Sequence, residues 1–319
     1  MTVLITGGAG FIGSNLARAL RARGERLVLL DNFDPYYDPA LKRANVAAFR
    51  DDPAVTLIDG DVRDGALMER IVVEHGIQRI AHLAALAGVR NSVEEGPRYL
   101  QVNVNGSVNL FEAARRHGVA MFVQASTSSV YGETPRIPFS EDDSADHPLA
   151  PYPASKRAAE IFAHSYHHLF GLNVTCLRFF NVYGPNGRPD MMPLKVMRAV
   201  MAGQPITLYA GGALKRDWTY IEDIIAGVVA ALYQPMGYSV INLGYGAPLA
   251  MTDFVDIVEE LSGQTAIRVN APTPPSEPTI TYCDNTRART LLGFDPKTPV
   301  QDGLAATWRW LQSIEGMKV

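Results

Sequence analysis

Over the first 125 residues, short apolar runs alternate with amphipathic stretches. Val3–Thr6, Leu27–Asp31, Thr56–Asp59, Ile80–Leu83 and Met121–Ala125 have the length and content of buried strands. Between them, Ile12–Arg23, Ala66–Glu74 and Tyr99–His117 repeat their apolar positions at helical spacing. Such alternation predicts an α/β fold, a doubly wound parallel sheet with right-handed crossovers. A helix over about Ser155–Phe170 and a strand at Asn173–Arg178 extend it.

The texture changes after Asn181. Pro185, Gly187, Pro189 and Pro193 punctuate a loop, and a proline-rich stretch follows at Pro272–Pro278. The expected division is a larger sheet domain over 1–180, with a return segment at about 216–245. A smaller C-terminal substrate-binding lobe would fill 181–319, mainly 181–215 and 246–319. Ile221–Tyr233 and Ser239–Leu243 are the segments expected to rejoin the main sheet.

Composition narrows the classes. With 319 residues, 47% of them hydrophobic and 19% charged, the chain has the make-up of a globular enzyme. A net charge of −4 leaves no basic face for nucleic acid or an anionic membrane. Cys176 and Cys283 are too few for a disulfide framework and fit a reducing compartment. The start runs directly into an apolar strand, and no apolar run reaches the roughly 18 residues needed to span a bilayer. A cytoplasmic location is expected.

Candidate chemistry begins at Gly7-Gly8-Ala9-Gly10-Phe11-Ile12-Gly13, which follows a strand and opens a helix. Glycines 7, 10 and 13 permit a tight turn and close approach of a pyrophosphate to the positive helix end. Glycine-rich turns also serve plain strand–helix connections, so context decides. The next strand ends in Asp31, roughly 20 residues on, where a carboxylate accepts from a ribose 2′-hydroxyl and repels a 2′-phosphate. That favours NAD over NADP. Asp61-Val62, after the third strand, fits an adenine-side contact.

Tyr152-Pro153-Ala154-Ser155-Lys156 places a phenol and an ammonium on one helical face, with Pro153 suited to a first turn. A tyrosine ordinarily titrates near 10. A neighbouring lysine cation and a positive nicotinamide are expected to pull it down toward the working range of a base. The hydroxyl run Ser126-Thr127-Ser128-Ser129 ends the preceding strand at the sheet edge where open α/β folds bind ligands.

Taken in order, Gly7–Gly13, Asp31-Asn32, Asp61-Val62, Leu83-Ala84-Ala85, Asn103, Ser126–Gly132, Tyr152/Lys156 and Arg178-Phe179-Phe180-Asn181 resemble the extended short-chain dehydrogenase/reductase family over essentially the whole chain. The resemblance implies a Rossmann fold with NAD held throughout the cycle. It assigns Gly7, Gly10, Phe11, Ile12, Gly13, Asp31, Asn32, Asp61, Val62, Leu83, Ala84, Ala85, Asn103, Tyr152, Lys156 and Phe179 to the cofactor. Tyr152 becomes the acid/base, Lys156 also holds the nicotinamide ribose, and Thr127 bridges sugar O4 and the phenol.

Epimerases, dehydratases and decarboxylases share this scaffold. The dehydratases resemble one another in an Asp-Glu after the threonine, and UDP-glucuronate decarboxylases carry Thr-Ser-Glu; here the run is Thr127-Ser128-Ser129. Without that carboxylate the expected reaction is 4-epimerisation through a 4-keto sugar. Gly187-Arg188-Pro189-Asp190-Met191, Ala87–Ser92 and Tyr36-Tyr37-Asp38 with Lys42 resemble UDP-glucuronate 4-epimerases. The implied reaction is reversible conversion of UDP-glucuronate to UDP-galacturonate. Ser128 and Ser129, with Thr127, would hold the carboxylate, aided by Arg188 or Arg90. Asn181, which stands where threonine is frequent, keeps a UDP-glucose or UDP-GlcNAc 4-epimerase open as the alternative, with a UDP-glucuronate decarboxylase behind it. Arg216 matches the family's diphosphate arginine, and Ile206–Tyr209 its uracil strand. Arg188 also suits the phosphate. The family's usual Gly-Asp is replaced by Ser276-Glu277-Pro278, which leaves Arg287 as a weak second diphosphate candidate.

The remaining features read as packing. His164, His167 and His168 share a helix without carboxylates at ligand spacing, so no metal is expected. His82 suits a core or cofactor-flanking position, and Trp308 and Trp310 a packed terminal helix. Helices near 99–117 and 152–170 would pair across a homodimer, as the family's do.

Overall fold

The computed structural model describes residues 1–274 and 277–316. Its first half alternates β1 (Thr2–Thr6), α1 (Phe11–Ala22), β2 (Arg26–Asp31), α2 (Pro39–Val46), β3 (Val55–Asp59), α3 (Gly65–Glu74) and β4 (Arg79–His82). Short helices α4 (Val89–Ser92) and α5 (Gly96–Tyr99) lead through a π-helical segment, Leu100–Asn105, into α6 (Gly106–Arg116). Then come β5 (Met121–Thr127), α7 (Pro151–Phe170), β6 (Val174–Phe179), β7 (Asn181–Tyr183), α8 (Met192–Met201), β8 (Pro205–Tyr209), β9 (Lys215–Tyr220), α9 (Ile221–Tyr233) and β10 (Tyr238–Leu243). The C-terminal part adds β11 (Pro248–Ala250), α10 (Met251–Ser262), β12 (Ile267–Ala271), β13 (Ile280–Thr281), α11 (Thr286–Leu292) and α12 (Val300–Glu315).

Seven parallel strands form the main sheet in the order β10-β6-β5-β4-β1-β2-β3. Chain direction across the sheet reverses between β1 and β4, which opens a crevice at their C-terminal ends. The Ser239–Leu243 segment does rejoin this sheet, as β10 against β6. β7, β9, β11 and β13 make a small second sheet, and β8 pairs with β12.

Two sequence expectations need correction. The third strand is an edge strand with Leu57 exposed, because nothing pairs beyond β3 in the described sheet. Its apolar content reads as burial only if its place in the sheet is unknown. The Tyr99–His117 helix is interrupted by the wider π turn, a local geometry that re-aims side chains and recurs at functional sites.

Among the described residues, the buried apolar side chains fall into one large cluster and two smaller ones. One buried cluster runs from Val3, Leu16 and Leu177 through Met197 and Trp218 to Phe254 and Leu311. It holds the small sheets rigidly against the sheet edge that carries the crevice. Trp308 packs in this cluster, with Trp310 against it. Among the described residues no helix is long and apolar enough to cross a membrane.

Candidate active site

A cavity of about 990 Å³ opens over the C-terminal ends of β1, β2, β4, β5 and β6 and reaches β8, α8 and the loop at Glu277. Every residue assigned to catalysis, cofactor or substrate lines it, except Asn103 and the weak diphosphate candidate Arg287.

The floor of one half is the β1–α1 turn. Gly7 has φ +67°, and a Cβ there would lie 2.8 Å from the Ala84 nitrogen. At Gly13 a Cβ would collide with the Gly7 carbonyl oxygen, so α1 packs closely enough to aim its first N–H groups into the cavity. Asp31 ends β2 beneath this turn. Its carboxylate accepts from Ala9 N (3.1 Å) and Phe33 N (2.9 Å), with the Lys42 ammonium 4.0 Å away. Burial raises its titration above the usual aspartate value, against the charge of Lys42 and those amide bonds. Asn32 Nδ2 donates to Asp61 (2.9 Å), which Arg63 also grips, holding that carboxyl down at about 2. Glycine cradle, helix end and carboxylate together fit a dinucleotide with a free 2′-hydroxyl, which is NAD.

Asn103 does not join this lining. It is fully buried, accepts from Leu86 N (2.8 Å), and donates to Leu86 O (3.0 Å) and Ser155 Oγ (2.9 Å). Its contacts clamp the loop after β4 to the start of α7.

Tyr152 and Lys156 occupy the first two turns of α7, and both side chains face the cavity. The Lys156 ammonium is pushed down to about 8 by burial, against opposition from Cys176 and Glu160. Tyr152 departs from expectation. Burial raises its phenol above 10, and only Thr127's hydroxyl and Arg188's charge act to lower it. A bound oxidised nicotinamide would add the further cation that sequence reasoning assumed. At the end of β5 the Thr127 hydroxyl donates to Ser129 Oγ (3.3 Å). Ser128 and Asn181 border the same space.

Each arginine assigned to substrate already holds an internal carboxylate. Arg188 donates twice to Asp190 (3.0 and 2.5 Å), which Tyr36 also touches (3.2 Å). Glu277 accepts from Arg90 (2.8 Å) and Arg216 (3.0 Å), and the Arg90 guanidinium lies over the Tyr209 ring. The carboxylates lining the described cavity are Asp31, Asp34, Asp61, Asp190 and Glu277. Each is engaged by cations or amides, Asp34 by Arg98 (2.5 Å), and none belongs to the 127–129 run.

A model of the NAD dependent epimerase/dehydratase family matches residues 3–244. The chain belongs to this family. Among family members, the UDP-glucuronate 4-epimerase of Thermodesulfobacterium geofontis is 36% identical over 322 residues, covering 99% of both chains. UDP-glucuronate 4-epimerase 3 of Arabidopsis thaliana is 39% identical over 97% of this chain and 76% of its own. The UDP-glucuronic acid 4-epimerase of Bacillus cereus, solved with UDP-glucuronic acid and NAD, superposes with a TM-score of 0.93 at 33% identity, covering 98% of this chain and 100% of that one.

Other family assignments move. Arg287 lies outside the cavity, bonded to Asp142 (2.7 Å) and the Val240 carbonyl (3.3 Å). Ser276 lies outside the described residues. Among the described contacts Arg216 pairs with Glu277, and not with its neighbour Asp217 or with Glu222. Strand alternation turns Asp217 inward, onto the amides of Tyr245, Gly246 and Cys283. Glu277, Asp34 and Lys195 are lining residues that sequence reasoning gave no role. Only the proximity of Glu277 to the proline-rich stretch hinted at the first.

Proposed function

We propose that the protein is an NAD-dependent UDP-glucuronate 4-epimerase that interconverts UDP-glucuronate and UDP-galacturonate through a 4-keto sugar. The observation that carries this reading is the neutral end of β5. Thr127, Ser128 and Ser129 face the cavity beside Tyr152, and the lining carboxylates are all committed elsewhere. Elimination of water across the sugar needs an acid and a base beside the ring. A neutral hydroxyl run supplies neither, yet it is a good host for a uronate carboxylate, since hydroxyls donate to it without repelling it. The named relatives, UDP-glucuronate 4-epimerases at 36–39% identity, support the same choice.

Tyr152 removes the C4 hydroxyl proton as hydride leaves C4, and returns it to the 4-keto oxygen when hydride comes back to the other face. Lys156 stabilises the phenolate and binds the nicotinamide ribose. Thr127 orients the C4 oxygen against the phenol. NAD, bound by Gly7–Gly13, Asp31, Asn32, Asp61, Val62, Leu83–Ala85 and Phe179, supplies the reversible hydride acceptor. Arg216 and Arg90 take the diphosphate, Tyr209 the nucleobase side, and Arg188 and Asn181 the sugar. Asn181 also favours a second reading, 4-epimerisation of a neutral UDP-hexose, because an amide suits a hydroxyl as well as a carboxylate.

The sheet domain, 1–180 with 216–245, holds cofactor in this reading, and the rest of the chain holds nucleotide and sugar. Leu100 beside α6, and Ile161, Phe162, Leu169 and Phe170 of α7, are exposed and apolar, which suits a homodimer packed through these helices. Buried unpaired Cys176 and Cys283 suit a reducing cytoplasm.

Proton NMR of UDP-glucuronate with the protein and no added NAD tests the reading. A galacturonate anomeric signal is expected. Pentose signals alone, or no change with UDP-glucuronate but turnover of UDP-glucose, would overturn it.

A further inference from the structure

Tyr152, Lys156 and Glu160 follow one another at four-residue steps along α7. The first two line the cavity, whereas Glu160 is fully buried behind them. Its carboxylate accepts a bidentate pair from Arg178 of β6 (2.9 and 2.8 Å) and a bond from the Ser126 hydroxyl of β5 (2.5 Å). Arg157 adds a bond from the outer side (3.2 Å). Arg178 is itself 2% exposed and lies with its guanidinium over the Tyr131 ring. Ser126 immediately precedes Thr127, and Arg178 immediately precedes Phe179. Both neighbours line the active-site cavity.

An apolar contact of the same volume would hold a helix to a sheet as well or better than a buried ion pair. Stability therefore does not explain a carboxylate at this point. Position and charge do. The bidentate geometry fixes α7 along its own axis, because a one-residue slip would break three directional bonds together. The charge also matters. The groups around Lys156 are Tyr152 and Glu160 on its own helix, Arg157 beside them, Cys176 and Arg178 on β6, and His82 on β4. Burial keeps the Cys176 thiol protonated and His82 neutral. Tyr152 is uncharged until it acts, and both arginines are positive. That leaves Glu160 as the negative neighbour able to support the ammonium.

We propose that Glu160 is a positioning residue for the reaction. It locks the register of α7 against β5 and β6 through Arg178 and Ser126, and it supplies the buried negative charge that keeps Lys156 cationic. The inference rests on the epimerase reading for its kinetics, but its central measurement needs no substrate.

Glu160→Gln keeps the shape and removes the charge. Lysine-selective ¹³C NMR of the purified protein, assigned with Lys156→Met, reports the Lys156 titration directly. The Lys156 midpoint is expected to fall by roughly one pH unit in Glu160→Gln. The alkaline limb of kcat should follow it, with kcat down at least about tenfold and KM for UDP-glucuronate little changed. Glu160→Asp, which keeps the charge but shortens the reach, should lower kcat without moving the midpoint. A folded Glu160→Gln with an unshifted Lys156 midpoint overturns the proposal. Should that variant not fold, Ser126→Ala decides, since it removes one bond and leaves the ion pair: kcat within about twofold of the parent overturns it, and a larger fall at constant KM sustains it. A parent protein inactive on UDP-glucuronate would refute the proposed substrate while leaving the titration readable.

Discussion

Thr127 and Ser129 are bonded to each other twice. The threonine hydroxyl donates to Ser129 Oγ (3.3 Å), and the Ser129 amide donates back to Thr127 Oγ1 (3.2 Å). This local turn caps the short 3₁₀ segment that follows β5, so the hydroxyls are set by backbone geometry. They form a fixed, neutral donor array in the cavity that Tyr152 also lines. A 4-keto uronate is a β-keto acid. It loses carbon dioxide most readily when the bond to the carboxylate stands perpendicular to the carbonyl plane. A fixed array can hold that bond away from the perpendicular.

Ser129→Glu breaks this arrangement by placing a negative charge against the bound carboxylate. Epimerisation should fall at least about tenfold, with UDP-pentose forming in its place or turnover ceasing. Product analysis by proton NMR checks it. Clean epimerisation at the parent rate would show that the hydroxyls do not restrain the carboxylate.

Much of this was legible in the residues, for identifiable reasons. Strands β1, β2, β4, β5 and β6 are central and apolar, and periodicity reports such segments well. The glycine turn and the Tyr152/Lys156 pair are local in sequence, so spacing alone places them. What stayed hidden depends on tertiary partners. Asn103 sits in a π turn whose register no helical pattern reveals, and its side chain bonds Leu86 and Ser155. The pairing of Glu277 with Arg90 joins residues 187 positions apart. The raised phenol of Tyr152 follows from burial, a property of the assembled cavity. Glu160 was the recoverable case, since a third polar residue at the Tyr152/Lys156 spacing marks a face that should otherwise be apolar.

Asp31 makes cofactor binding pH-sensitive. Only its ionised form accepts from a ribose hydroxyl without donating, and its titration lies above the usual aspartate value. NAD affinity should therefore be flat near neutrality and fall as pH drops through that raised value, earlier than for an exposed aspartate. Burial disfavours the ionised form, so Asp31 costs the fold stability above its unfolded pKa, and that cost lessens as pH falls. Asp31→Ser should weaken NAD about tenfold and relieve the rejection of NADP. Calorimetric titration of NAD-stripped protein checks both. Unchanged NAD affinity in Asp31→Ser would remove Asp31 from the site.

Asn103→Ala removes three buried bonds at once and strands the amide and carbonyl of Leu86. Unsatisfied buried groups cost about 1–3 kcal/mol each, so about 2–6 kcal/mol of stability should go. For a chain of this size that lowers Tm by roughly 3–9 °C. Scanning calorimetry gives the answer. A Tm within about 1 °C of the parent would mean that the Leu86 loop is held by other contacts.

Arg216 can be read as a phosphate ligand or as the partner of Glu277, and one substitution separates the two. Its side chain is 11% exposed and bonds Glu277 at 3.0 Å, while Arg90 holds the other oxygen of the same carboxylate. Arg216→Met leaves Glu277 paired with Arg90, so the fold should lose no more than about 1 kcal/mol. If the guanidinium takes the diphosphate, removing a charge-assisted bond worth about 1.5–3 kcal/mol weakens UDP roughly 10–100-fold. Binding of NAD, at the opposite half of the cavity, should not change. Competitive inhibition by UDP measures the first effect and NAD titration the second. An unaltered UDP inhibition constant would confine Arg216 to its ion pair and move the phosphate role to Arg90, Arg188 or Lys195.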